Sequence, residues 1–283
     1  MEGQTLVRKS LLLLVIVALA VIASQAYACV GARPLAMGGA FTGLADDVNT
    51  TYWNPAGLTQ LTGQHATWMH TTTNRDEINY QDYFAYTSSI KNSKMSFGVS
   101  IIKDNVSLGA VTDNQTWIWA STGYKISDKI SVGLNIRGIQ DSPKGYSTDM
   151  ALDLGGLYKI NDKWTAGLLI QDFNEAKIHA NGLSIAKHMQ NWRPGASYRL
   201  DENTVFSAEL YDLFDNGSAR ALRLGGERKL VNGWAVRAGL YGAGNSSCFT
   251  FGAGKSLERG SVDLAVMTGD LNNTLILSGG INF

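Results

Sequence analysis

The sequence predicts an all-β protein: an antiparallel transmembrane β-barrel of about 14 strands with an N-terminal hatch inside its lumen. Three observations predict it. From residue 64 to the end, apolar and polar residues alternate with period two. The connections between these runs alternate between short and long. Ahead of the first run lies Val30–Leu61, with too many glycines for a helical domain and too little alternation for a strand.

At 283 residues the chain is long enough to bury a sizeable core. Lys+Arg and Asp+Glu balance at 24 each, so there is no basic footprint for nucleic acid and no acidic tail. The 31 glycines against 4 prolines suit a β protein with many turns.

Taken in order, residues 1–28 read as a secretory signal peptide. Arg8 and Lys9 precede an apolar run, Leu11–Ala23, and Ala26-Tyr27-Ala28 supplies a cleavage site after Ala28. The run falls short of the roughly 20 residues a spanning helix needs. Cleavage would expose Cys29. A lipoprotein signal also requires a cysteine there, but it usually carries Leu three residues earlier, where this chain has Ala26. Cys248 is the second and last cysteine, so at most one disulfide can form, and no Cys or His cluster suggests a metal or other cofactor.

Residues 64–283 divide into roughly 14 runs, each near the 9–11 residues of a membrane-spanning strand. The expected spans are 64–73, 79–90, 94–104, 115–126, 129–140, 148–159, 163–172, 190–200, 203–213, 219–230, 233–243, 247–256, 260–268 and 273–283. In one of them Met95, Phe97, Val99 and Ile101 alternate with Ser96, Gly98 and Ser100. In another Trp234, Val236, Ala238 and Leu240 alternate with Arg237 and Gly239. Lys91-Asn92-Ser93, Ser127-Asp128, Asn161-Asp162, Asp201-Glu202 and Val231-Asn232 are tight turns. Asp104–Asn114, Asp141–Ser147 and Asp172–Met189 are the longer links. Tyr124, Tyr158, Trp164 and Trp234 fall near strand ends, where an interfacial girdle would lie. The last run carries an apolar face that closes on Phe283 and resembles the assembly signal of bacterial outer-membrane barrels. A soluble β-sandwich would share the alternation, but not an apolar face on nearly every strand together with alternating loop lengths.

With the apolar set facing lipid, the other set lines the lumen. It holds Lys94, Asn135, Arg137, Asp149, Asp153, Glu209, Arg223, Glu227, Arg237 and Asp263. Both signs are mixed, which favours paired charges holding an inner plug over an ion-selective conduit. A barrel of this strand number is wider than its own side chains can fill, so it is open or plugged. Residues 29–63 are the available plug. Gly38 and Gly39 permit tight turns, Asn54-Pro55 favours another, and Asp46 and Asp47 can meet lumen arginines. The apolar residues Leu35, Met37, Phe41, Leu44, Trp53 and Leu58 argue against a disordered tail.

The run Gly31-Ala-Arg-Pro-Leu-Ala-Met-Gly-Gly-Ala-Phe-Thr-Gly-Leu-Ala-Asp-Asp-Val-Asn, continued by Tyr52-Trp-Asn-Pro-Ala-Gly-Leu58, resembles the hatch of the PorV/PorQ family, which is related to FadL-type transporters of hydrophobic compounds. The resemblance implies a plugged barrel with Arg33, Gly38, Gly39, Asp46, Asp47, Trp53, Asn54, Pro55 and Ala56 as the working parts of the hatch. FadL-type members pass hydrophobic molecules by the hatch and out through the wall. PorV-type members serve type IX secretion as carriers or docking partners.

The expected function is therefore passive transport of small hydrophobic molecules across the outer membrane of a Gram-negative-type bacterium. The alternative is a secretion partner or a structural barrel. The expected partners are the lipid bilayer, the barrel-assembly machinery through the C-terminal strand, and either hydrophobic small molecules or secretion components. His65, His70, His179 and His188 are scattered and form no catalytic arrangement, so no enzyme is expected.

Overall fold

In the computed structural model the described residues are 29–73, 80–108, 111–141, 146–216, 220–243, 246–269 and 273–283, so the expected signal peptide lies outside them. The strands are β1 (Gln64–Thr73), β2 (Tyr80–Ser89), β3 (Met95–Leu108), β4 (Val111–Lys125), β5 (Ile130–Asp141), β6 (Tyr146–Thr148), β7 (Ala151–Lys159), β8 (Trp164–Gln171) and β9 (Lys177–Ala180). They continue as β10 (Leu183–Lys187), β11 (Asn191–Arg199), β12 (Thr204–Tyr211), β13 (Ala221–Lys229), β14 (Trp234–Ala243), β15 (Ser246–Leu257), β16 (Gly260–Gly269) and β17 (Thr274–Asn282).

Fourteen of these pair antiparallel with both neighbours and close on themselves, with β17 against β1 (Ala66 opposite Ile281, Thr72 opposite Leu275). Closure removes every edge, which a sheet in lipid requires because no water is there to satisfy free backbone groups. The other three, β6, β9 and β10, form a small extension at the long-loop end, in which β9 pairs with β6 and β10 and β6 joins the barrel at β5. Among the described residues no helix is long and apolar enough to cross a membrane.

Period-two alternation sets the two faces of the wall. Phe84 (51% exposed), Val99, Ile118, Leu222, Val236, Phe251, Leu264 and Leu277 point outward, as a lipid-facing band requires. Tyr124, Tyr158, Trp164 and Trp234 are exposed at the short-turn end, and Trp164 packs on Tyr198 with centroids 4.7 Å apart. That is the place of an interfacial girdle.

Two expectations about the wall are corrected. The expected link Asp104–Asn114 is strand as far as Leu108 and from Val111: β3 and β4 pair on to Leu108 opposite Val111. Beyond the lipid band a strand no longer needs an apolar outer face, so its hydrogen-bond ladder continues without that pattern. The lumen is also less uniformly polar than its charges suggest. Met69, Tyr83, Ala85, Ile102, Trp117 and Trp119 on β1–β4, with Ile276 on β17, make one side of the interior apolar and aromatic.

The N-terminal segment forms short helices, α1 (Ala32–Ala36) and α2 (Thr50–Trp53), and a 3-10 turn, Pro55–Gln60. Val30, Leu35, Met37, Phe41, Leu44 and Trp53 share one buried cluster with the apolar wall residues. The largest apolar core of the protein is thus the contact between this segment and the inner face of the sheet.

Candidate functional site

A ring of inward-facing glycines decides where the segment can run. Gly98, Gly123, Gly133, Gly155, Gly167, Gly195, Gly225, Gly239 and Gly252 occupy every barrel strand from β3 to β15 except β12, and a Cβ on any of them would meet the segment within 3.3 Å. At Gly133 it would lie 2.3 Å from the nitrogen of Ala56, and at Gly155 2.3 Å from Asn54 Oδ1. On the opposite side, Met37 and Gly38 pass over Gly225 and Gly239. Gly38 and Gly39 both have left-handed φ, +65° and +67°, so the turn there excludes ordinary side chains on backbone grounds as well.

Hydrogen bonds fasten the segment at the same level. Asn54 Nδ2 donates to the carbonyls of Thr42 (2.9 Å) and Gly156 (3.1 Å), while its Oδ1 accepts from the Ala56 amide (3.1 Å). That last bond caps the 3-10 turn, with Pro55 at its first position. Trp53 is fully buried and its Nε1 donates to the Val30 carbonyl at 2.9 Å. The hydroxyls of Thr250 and Ser197 donate to the carbonyls of Ala36 and Gly43, both at 2.9 Å. Glu209 Oε2 accepts from the amides of Phe41 (3.3 Å) and Thr42 (3.0 Å).

On the short-turn side of the ring lies an ion-pair chain. Arg33 grips Glu227 in bidentate fashion (2.8 and 2.9 Å) and reaches Asp46 at 2.7 Å and Asp47 at 2.9 Å through Nη1. Glu227 also accepts from Arg237 (2.6 Å), which reaches Asp263 at 2.8 Å. Charge-assisted, bidentate contacts of this kind are the strong ones. Burial by itself would lower the pKa of Arg33, but Asp46, Glu227 and Asp47 raise it well above its ordinary value. Burial lifts the Asp47 carboxyl above its ordinary value, against the opposing pull of Arg33. A polar cavity of about 560 Å³ opens beside this cluster.

On the long-loop side lie Arg137, Asp153, Arg193, Glu209 and Arg223. Arg137 pairs with Asp172, and Asp153 stands 3.9 Å away. Arg223 donates to Tyr241 Oη at 3.1 Å and faces Glu209 at 3.6 Å. A cavity of about 30 Å³ lies here, lined by Tyr52, Trp117, Trp119, Arg137, Arg193 and Tyr211 among others.

All the hatch residues expected from sequence therefore meet at the ring or in the Arg33 cluster, and the six lumen charges point inward on one side of the ring or the other. Two residues of the wider lumen set do not. Lys94 is exposed in the turn before β3, and Asp149 is exposed beside His179 Nε2 at 3.0 Å, because both stand outside their strands. Sequence reasoning missed Asp172, Arg193, Tyr52, Trp117, Trp119 and Tyr211. Parity along β11 would have found Arg193, since it shares a face with Asn191 and Ser197. Cys29 and Cys248 are not joined by a disulfide. Among the described residues no group of His, Cys, Asp or Glu is placed to hold a metal.

No protein-family profile matches the chain, and no curated protein matches it in sequence. Several solved structures share its fold, a closed antiparallel barrel of 14 strands like that of FadL-type barrels. The toluene transporter TbuX of Ralstonia pickettii superposes with a TM-score of 0.69 at 13% identity, over 90% of this chain and 98% of that one. The monoaromatic hydrocarbon channel CymD gives 0.70 at 13% identity, over 90% and 97%. A FadL homologue of Pseudomonas aeruginosa gives 0.60 at 12% identity, over 87% and 96%.

Proposed function

We propose that the chain is a passive transporter of small hydrophobic molecules in the outer membrane of a Gram-negative-type bacterium, with residues 29–63 as a hatch and 64–283 as the barrel. The observation that carries this is the placement of the segment: it lies across the lumen at the glycine ring, with a cavity on either side. It is held there by a shared apolar core, side-chain hydrogen bonds and ion pairs rather than by strand pairing. The neutral hydrogen bonds among these contribute about 1 kcal/mol each.

The resemblance of Gly31–Leu58 to the PorV/PorQ hatch and the transport roles named for the similar barrels support this reading. In it, residues 1–28 export the chain, the short turns face the periplasm and the C-terminal strand engages the assembly machinery.

A tether tests it. Thr51 Cγ2 lies 2.6 Å from the position of a Cβ on Gly98, which brings a cysteine pair within disulfide reach. Thr51→Cys with Gly98→Cys, in a chain with Cys29→Ser and Cys248→Ser, would pin the segment to β3. Proteoliposomes holding the oxidised protein should take up toluene no faster than empty vesicles, and reductant should restore uptake. Equal uptake with the tether closed would rule out the hatch as gate. If the reduced protein also matches empty vesicles, the transport reading falls and a secretion or structural role takes its place.

A further inference from the structure

In the long-loop chamber Arg193 makes no direct ion pair among the described residues, its one carboxylate neighbour, Glu209, lying beyond contact and facing Arg223. Arg193 is 2% exposed. Its Nε donates to Asn191 Oδ1 at 3.3 Å, its Nη2 donates to Gln171 Oε1, and its guanidinium lies 4.4 Å from the centre of the Tyr211 ring. These partners are all neutral, and its Nη1 has no partner among the described residues. Two further buried donors, on residues that line the same cavity, also have no partner among the described residues: Arg137 Nε and Trp117 Nε1. An unpaired buried charge costs several kcal/mol, and unsatisfied buried donors add to that. The Arg33 cluster below the ring, where the two arginines meet four carboxylates, provides the contrast.

We propose that this chamber is a binding site for the carboxylate of a small aromatic acid. The volume of about 30 Å³ accommodates a carboxylate group, which needs more than the 10–15 Å³ that holds a single water and far less than a ring. The head group accepts from Arg193 Nη1, Arg137 Nε and Trp117 Nε1. The ring of the ligand extends past Met189, which lines the cavity, is 43% exposed and has a flexible side chain that can move aside. Tyr52, Trp117, Trp119 and Tyr211 supply aromatic surface beside it. A neutral hydrocarbon would leave all three donors unpaired, so the chamber favours an aromatic ring that carries one negative charge. This assignment rests on the reading that small molecules enter the barrel from the long-loop end, and it names the class that the chamber takes.

Calorimetric titration of the detergent-purified protein with benzoate, benzyl alcohol, formate and chloride tests it without any transport step. Benzoate should bind at least about tenfold more tightly than benzyl alcohol, the difference expected for hydrogen bonds to a charged group. Arg193→Gln should lose that preference, and Arg193→Lys should retain part of it. If Arg193→Gln fails to fold, Trp117→Phe, which keeps the ring and removes one of the three donors, should narrow the preference for benzoate. Equal binding of benzoate and benzyl alcohol by the wild-type protein, or no binding of either, overturns the proposal. So does chloride or formate binding as tightly as benzoate, which would make the chamber a site for small anions only. Toluene uptake that persists alongside any of these results would overturn the aromatic-acid site and leave the transport reading standing.

Discussion

Arg33 connects the N-terminal segment internally, to Asp46 and Asp47, and externally, to Glu227 of β13. Removing it leaves Asp46 and Asp47 close together without their principal cation, whereas Glu227 keeps Arg237. Arg33→Met should therefore destabilise the protein by about 2 kcal/mol, below the 3–5 kcal/mol of a fully enclosed pair because the Arg33 side chain is partly exposed. Urea unfolding in detergent would measure this, and adding Asp47→Asn should recover part of the loss. Asp47 gives a second prediction. Its folded-state pKa is raised, so its contribution to stability is fully present below the ordinary carboxylate value and is lost as pH rises through the raised one. Lowering pH from neutral into that window should raise the midpoint of thermal unfolding slightly, and Asp47→Asn should flatten the dependence. Arg33 and Asp46 are the charged groups that act on it, and the Asn49 amide donates to its Oδ1. A slope unchanged by the substitution would contradict the assignment. At this scale the lumen charges were legible, because parity along a strand fixes which face a residue takes. Their partners were not. Nothing local in the sequence joins Arg33 to Glu227, 194 positions away.

At the scale of elements, the glycine ring and the segment form one construction. Gly155 and Gly156 are neighbours on β7 with opposite surroundings. A Cβ on Gly155 would meet Asn54 and Pro55 at 2.3–3.0 Å, whereas one on Gly156 would meet nothing within 4 Å. Gly155→Val should displace the segment and expose its N-terminal residues to added protease, and Gly156→Val should leave digestion unchanged. Equal protection in both variants would mean that the ring does not set the path of the segment. The fourteen barrel strands were readable from sequence because lipid on one side and a packed lumen on the other impose strict alternation, and most of the expected spans end within two residues of the observed ones. The elements that escaped notice lie where that constraint lapses. In the outer end of β3, Val106 and Leu108 fall at the opposite parity from Met95, Phe97, Val99 and Ile101, so the alternation breaks there, and β10 is exposed throughout. The turns around β9 use left-handed Asp172, Glu175 and Asn181. The helices α1 and α2, of five and four residues, are too short to show a helical period.

At the scale of the whole molecule, the protein has two apolar surfaces with different partners. The outer band faces lipid, and the inner cluster of Met69, Tyr83, Ile102, Trp117, Trp119 and Ile276 faces the N-terminal segment. The outer band depends only on the strands, so insertion and closure should survive loss of the segment, while the inner wall would then meet water. Deleting residues 32–60 should therefore give a barrel that still shifts its gel mobility on heating but unfolds at a lower temperature than the intact chain. It should also conduct. In planar bilayers the intact chain should show no steady ionic current, because the segment crosses the lumen in close contact with glycines on nine of the fourteen barrel strands. The shortened chain should show discrete open steps. These would be smaller than those expected of a 14-stranded wall with an empty lumen, since Trp117, Trp119 and the three long-loop arginines still project inward. A silent but properly inserted deletion variant would show that the lumen is closed by wall side chains alone. The glycine ring would then be a packing surface without a gating role.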